Sequence, residues 1–130
     1  MIAAGFELLD HAEVPEAPWA EWGAGYGNLT AAYATRLGPL AFSSELDPAA
    51  FECLELNSKD FFPHITIARL AAEKSPPLEV AEAQTWVIDP PRSGFAELLR
   101  LLKEPTQLKP RFLLAYHCHE KGLSADVATL

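Results

Sequence analysis

Positive charge is nearly missing from the front of this sequence. Residues 1–60 hold two basic side chains, Arg36 and Lys59, against ten acidic ones, a balance of -8. Residues 61–130 carry eight of each and are neutral, so the 130-residue chain also stands at -8, with a pI near 4.9. That balance argues against a freestanding nucleic-acid module, which usually presents a basic face. Cysteine is scarce too, and Cys53 and Cys118 do not make a disulfide framework. No apolar run approaches the roughly 20 residues of a membrane span. Met1–Asp10 lacks the basic start of a secretory signal, so a cytoplasmic protein with no membrane partner is expected. Internal repeats and low-complexity tracts are absent. What remains is one domain over residues 1–130, and at 49% hydrophobic it is not a disordered chain. A chain of this length buries about two-thirds of its unfolded surface, enough for a real core.

The chain reads as strands alternating with helices. Trp19-Ala20-Glu21-Trp22 is a short apolar run ending in glycine, a buried strand. From Asn28 to Leu37, apolar residues recur at helical spacing until Gly38-Pro39 stops them. Leu40–Glu45 is a second strand, and Asp47-Pro48 caps a helix running to about Lys59. His64–Arg69 alternates and is β-branched, a third strand; Ser75-Pro76-Pro77 is loop. Thr85–Ile88 is a fourth strand, closed by Pro90 and Pro91, which cannot donate ladder bonds. Ser93 can cap a helix whose Phe95, Leu98, Leu99 and Leu102 form one stripe, and Phe112–Tyr116 is a fifth strand. Five strands separated by helices predict an α/β domain with a mostly parallel sheet.

Three constellations fall where such a sheet binds ligands. Glu21-Trp22-Gly23-Ala24-Gly25-Tyr26-Gly27 lies between a strand and a helix, and its alternating glycines let backbone turn tightly and approach a ligand. Glu45 ends the next strand, a placement that suits a carboxylate accepting ribose hydroxyls. A merely tight turn is the plain alternative. No Gly-Lys-Ser/Thr ending is present, which disfavours a phosphate loop. Glu21 would repel a pyrophosphate, so a cationic cofactor such as S-adenosylmethionine, with its sulfonium and amino group, fits better than a dinucleotide. The second constellation, Asp89-Pro90-Pro91-Arg92, ends the fourth strand. Asp89 can accept a hydrogen bond from cofactor or substrate, and Arg92 can meet a phosphate; a plain strand-ending turn is the alternative. The third, Tyr116-His117-Cys118-His119-Glu120, follows the fifth strand. A thiol flanked by histidines can act as a nucleophile, whereas a structural cysteine is the usual alternative. A metal site is disfavoured, because neighbouring side chains on extended backbone diverge and no second cluster completes four ligands. Around these residues the charge turns positive. Arg92, Arg100, Lys103, Lys109, Arg111 and Lys121 against Glu97, Glu104 and Glu120 leave +3 over 92–121, where RNA would meet the chain; ordinary surface charge is the alternative.

In order and spacing these parts resemble the S-adenosylmethionine-dependent RNA (uracil-5-)-methyltransferases over roughly residues 17–130. The most specific piece is Asp89-Pro90-Pro91-Arg92-Ser93-Gly94, with Gly25-Tyr26-Gly27-Asn28-Leu29-Thr30, Glu45-Leu46-Asp47-Pro48-Ala49 plus Asn57, and Tyr116-His117-Cys118 through Leu123 and Asp126 in support. The resemblance implies a class I methyltransferase, a Rossmann-like three-layer fold with five to six strands. It implies that Glu21, Gly23, Gly25, Gly27 and Glu45 hold the cofactor and that Asp89 lies between cofactor and target base. Cys118 would add to ring carbon 6 of uracil, because carbon 5 alone is too weak a nucleophile to take the methyl group. A cofactor-binding domain acting on another substrate, and a non-catalytic relic or partner subunit, are the other readings.

Several positions depart from that family. Ala24 stands where it has cysteine, and His117, His119 and Glu120 replace its usual neighbours of the nucleophile. The family's general base, a glutamate after the fifth strand, has no counterpart before Leu130; Asp60-Phe61-Phe62-Pro63-His64 resembles its approach but falls where the third strand begins. Residues 126–130 read on into residues 1–9 as helix, turn and strand, which predicts a permuted or swapped arrangement with residues 1–14 as a sixth strand; a truncated fragment is the rival. Either way the fifth-strand edge invites a second copy or a partner subunit.

Overall fold

The computed structural model describes residues 2–61, 66–69, 78–92, 95–104, 109–117, 121 and 124. Helix α1 (Ile2–His11) leads into β1 (Trp19–Trp22), α2 (Asn28–Tyr33), β2 (Leu40–Ser44), α3 (Pro48–Phe61) and β3 (Thr66–Ala68). A 3-10 turn over Leu78–Glu82 precedes β4 (Thr85–Ile88), followed by α4 (Ala96–Leu101) and β5 (Phe112–Ala115). The strands form one sheet in the order β3-β2-β1-β4-β5, and every pairing is parallel. This is the parallel α/β sheet with flanking helices that the alternation of strands and helices predicted.

Both sheet faces are covered, which is why β1 and β4 are buried at every position rather than alternately. The period-two pleat sends Trp19, Val87 and Leu114 to one face, where they meet Leu9 and Val14 from the α1 end of the chain and Leu29, Tyr33 and Leu37 around α2. It sends Ala20, Trp22, Trp86 and Ile88 to the other, against Val80 of the 3-10 turn and Leu98 and Leu99 of α4. On that second face Trp22 packs against Phe42 and Trp86 with ring centroids 4.9 and 5.2 Å apart. Each buried side chain of this size contributes about 1.5–3 kcal/mol.

Residues 2–11 are a helix, not the sixth strand that the tail-to-head reading predicted. The buried or half-buried positions Ile2, Gly5, Phe6 and Leu9 recur every three to four residues, and the positions between are exposed. That stripe fits a helix lying on a sheet and no strand. Gly5 abuts the hydroxyls of Tyr33 and Tyr116, which hydrogen-bond to each other, so α1 rests directly on α2 and the residue after β5. The α2 helix also stops earlier than its apolar spacing suggested: Arg36 and Leu37 both donate to the Tyr33 carbonyl in a closing turn. Asp47 caps α3 as expected, its Oδ1 accepting the Ala50 amide at 2.9 Å. The Ser93 cap, the 75–77 loop and residues 64 and 65 lie outside the described residues. Among the described residues no helix is long and apolar enough to cross a membrane.

Candidate functional site

The chain leaves β1 for β2 and β3 on one side, then returns to β4 and β5 on the other. The carboxyl ends of β1 and β4 therefore flank the point where strand order reverses, and a crevice opens there in sheets of this kind. Gly23 follows β1 and Asp89 follows β4. Trp22 and Ile88 are in register, and the Asp89 amide donates to the Trp22 carbonyl at 2.9 Å.

The glycine turn is held by its neighbours. The Gly23 and Ala24 amides both donate to the Ser44 carbonyl at 3.0 Å, and Asn57 Nδ2 donates to the Tyr26 carbonyl at 2.7 Å. Gly23 and Gly25 have φ of 73° and 57°, a region that side-chain-bearing residues avoid. Their surroundings differ. A Cβ on Gly23 would run into the Asp89 carbonyl, whereas one on Gly25 would meet open space. The backbone at Gly25 is thus open in the direction a side chain would take.

Glu45 stands against this turn. Its Oε2 accepts the Gly25 amide and its Oε1 accepts the Leu46 and Asp47 amides, all at 2.7 Å. A carboxylate offers about four lone-pair positions, so three backbone donors leave room for one more. The expected grip on two ribose hydroxyls therefore needs an amide to yield. Tyr26 and Leu46, adjoining these contacts, are exposed.

Glu21 lies beneath the turn and is wholly buried. Its Oε2 accepts hydrogen bonds from Thr30 Oγ1 of α2 and, at 3.4 Å, Ser43 Oγ of β2, while its Oε1 has no partner. Burial pushes its pKa up to about 7; the two hydroxyl bonds pull the other way, and the charges of Asp89 and Glu45 add to the rise. Asp89 is raised as well, first by burial and then by Glu45, with His117 opposing. Three carboxyl groups thus share one field at the reversal point, which favours a cationic guest.

The structure brings Gly23, Gly25, Gly27, Glu45 and Asp89 to one end of the sheet and sets Glu21 below them. Arg92 is exposed in the turn after Pro91, at the same end. Cys118 lies outside the described residues; the chain can be followed to His117, two residues past β5. Sequence reasoning missed His117 as a charge partner of Asp89, and Thr30 and Ser43 as partners of Glu21. A signal existed for Thr30, a hydroxyl three residues after the last glycine, but nothing local marked the others.

No protein-family model matches this sequence, and no curated protein does. Solved structures do resemble its fold. The tRNA (uracil-54, C5)-methyltransferase of Pyrococcus abyssi, in complex with S-adenosyl-L-homocysteine, superposes with a TM-score of 0.72 at 18% identity over 98% of this chain. The chain spans 31% of that enzyme's length. The precorrin 8w decarboxylase of Methanobacterium thermoautotrophicum gives 0.72 at 18% identity, covering 98% of this chain and 69% of that one. Geranyl diphosphate C-methyltransferase from Streptomyces coelicolor gives 0.60 at 13%, over 75% and 39%. At such identities the likeness establishes the fold, which carries several chemistries.

Proposed function

We propose that this chain is the cofactor-binding and catalytic domain of an S-adenosylmethionine-dependent methyltransferase. The observation that carries this reading is the reversal point itself, where Glu45 accepts the Gly25 amide, the Asp89 backbone lies against Gly23, and the two carboxyl groups feel each other's charge. A group of neighbouring carboxyl groups suits a cationic nucleoside better than a phosphate-bearing one. Gly23, Gly25, Gly27 and Glu45 would hold the cofactor, with one acceptor position of Glu45 left for a ribose hydroxyl and the exposed Tyr26 and Leu46 offering apolar surface to its base. Glu21 shapes the turn from below. Asp89 lies between cofactor and acceptor. Bound there, S-adenosylmethionine supplies an electrophilic methyl group.

The acceptor that the motifs support best is a uracil base in RNA. Arg92 and the positive stretch 92–121 would draw the phosphate backbone, and Cys118 would add to ring carbon 6. The similarity in fold to a tRNA (uracil-54, C5)-methyltransferase agrees with this choice. Calorimetry with S-adenosylmethionine tests the first part: one-site binding is expected, and neither heat nor thermal shift would leave the chain a partner subunit. RNA containing 5-fluorouracil tests the second. A covalent adduct is expected from the wild type and none from Cys118→Ala, while methylation without any adduct would move the activity to another acceptor.

A further inference from the structure

Helix α2 is six residues long, too short to hold together by itself, and no side chain caps its first turn. Two side-chain hydrogen bonds, one helical turn apart, fix it in place. Thr30 donates to Glu21 beneath the glycine turn, and the Tyr33 hydroxyl bonds to that of Tyr116, the first residue after β5. Residues three apart share a helix face, so a single short helix joins the two places. We propose that the Tyr33–Tyr116 pair is a clasp that transmits occupancy of the glycine turn to the end of β5. The inference rests on the cofactor-binding reading above and is independent of the choice of acceptor.

The pair is enclosed on every side that the fold can supply. Tyr33 is wholly buried, its ring meeting those of Phe6 and Trp19 edge-on at centroid distances of 5.3 and 6.2 Å and that of Tyr116 at 6.2 Å. Both hydroxyls lie against Gly5 of α1, where a Cβ would run into them. Helix α1 is held over them in turn by Arg36, beyond α2, which donates to Asp10 at 2.9 Å and to the Val14 carbonyl at 3.1 Å.

Strand β5 needs such a tie. It lies at the edge of the sheet, with Phe112 and Leu113 half-buried and Ala115 exposed. Past it, Tyr116 gives its amide to the Ile88 carbonyl at 2.8 Å and its hydroxyl to Tyr33. A buried hydroxyl without a partner is costly, so Tyr116 stays seated while Tyr33 does. Tyr33 in turn depends on the glycine turn, because the first hydrogen bond of α2 runs from the Ala31 amide to the Gly27 carbonyl at 2.9 Å. A ligand that steadies the turn steadies α2, and through the clasp it suppresses local opening at the end of β5.

Amide hydrogen exchange of this chain, with and without S-adenosyl-L-homocysteine, tests the link. In the wild type, binding should slow exchange over residues 23–33 and also over 112–117, the latter by about tenfold. Tyr33→Phe and Tyr116→Phe keep both rings and remove the bond. Each is expected to bind the ligand and slow over 23–33, but to lose the slowing over 112–117. The double variant leaves no hydroxyl without its partner, so it separates the clasp from a folding fault, and it should match the single variants rather than add to them. A pair that serves stability alone would speed exchange over 112–117 equally with and without ligand. That result overturns the clasp, as does a wild type that binds the ligand and slows only over 23–33; both leave the cofactor reading standing. A wild type that binds no S-adenosyl-L-homocysteine overturns the cofactor reading, and the clasp falls with it.

Discussion

The two sides of the crevice are built differently. On the β1–β2 side, Gly23, Ala24 and Gly25 each donate a backbone amide to β2 or its terminal acid, and Glu45 ties down two more amides of its own loop. On the β4–β5 side, Pro90 and Pro91 have no amide hydrogen to give, and the chain is held through the Asp89 and Tyr116 amides. One side is fixed in advance and negatively charged; the other alternates acid, base and imidazole. Preorganised donors and acceptors suit a ligand that is always the same, and a looser, mixed-charge edge suits the partner on which chemistry is done. Under the proposed function, that contrast fits cofactor on the first side and substrate on the second.

The most severe way to break the fixed side is Gly23→Ala. Positive φ costs about 1–3 kcal/mol for a non-glycine residue, and here the added Cβ also meets the backbone carbonyl of Asp89, which cannot swing aside. A loss of about 3 kcal/mol is expected in urea unfolding, together with loss of S-adenosylmethionine binding. Gly25→Ala carries the dihedral cost without the collision, so about 1 kcal/mol is expected. Equal losses in the two variants would mean that contact across the β1–β4 junction does not matter.

Glu21 sharpens the comparison through pH. Its folded pKa of about 7 stands above the ordinary 4.5. The folded state thus binds the proton more tightly, and stability from this group is fully present below the unfolded value and lost as pH rises through 7. At about 1.36 kcal/mol per unit, the range between those values is worth roughly 3 kcal/mol. Glu21→Gln keeps an acceptor for Thr30 and Ser43 without the charge. Its urea midpoint should match the wild type near pH 4 and exceed it near pH 8. A difference that stays flat over that interval would show that no buried carboxyl titrates there.

How far all this could be read in advance depended on whether the signal was local. Strands β1 and β4 were legible to the residue, because short, mostly apolar runs end at Gly23 and before Pro90. Helix α1 was not, since Gly5 occupies a buried place on its stripe without an apolar side chain to mark it, and the period was hidden. The 3-10 turn at Leu78–Glu82 is too short to show a period at all. Within the site, glycines and strand-end acids announce themselves by spacing. The burial of Glu21 depends instead on hydroxyls from α2 and β2, and the Asp89–His117 coupling on the register of β4 against β5; neither is written in any one stretch of sequence.

The gentlest prediction is a double dissociation between the two sides. Glu45→Gln keeps the size but replaces one carboxylate oxygen with an amide nitrogen that cannot accept, so the Gly25 amide or the Leu46 and Asp47 amides lose their partner. Affinity for S-adenosylmethionine should fall about tenfold, the worth of one charge-assisted hydrogen bond, with RNA affinity unchanged. Arg92→Ala removes an exposed cation from the other edge. RNA affinity should fall a few-fold, with the slope of binding against salt reduced by about one phosphate contact, and S-adenosylmethionine should bind as before. Titrating each variant with each ligand decides the matter. If Arg92→Ala weakens the cofactor, or Glu45→Gln the RNA, then the crevice is one continuous site and its two sides do not divide the work between them.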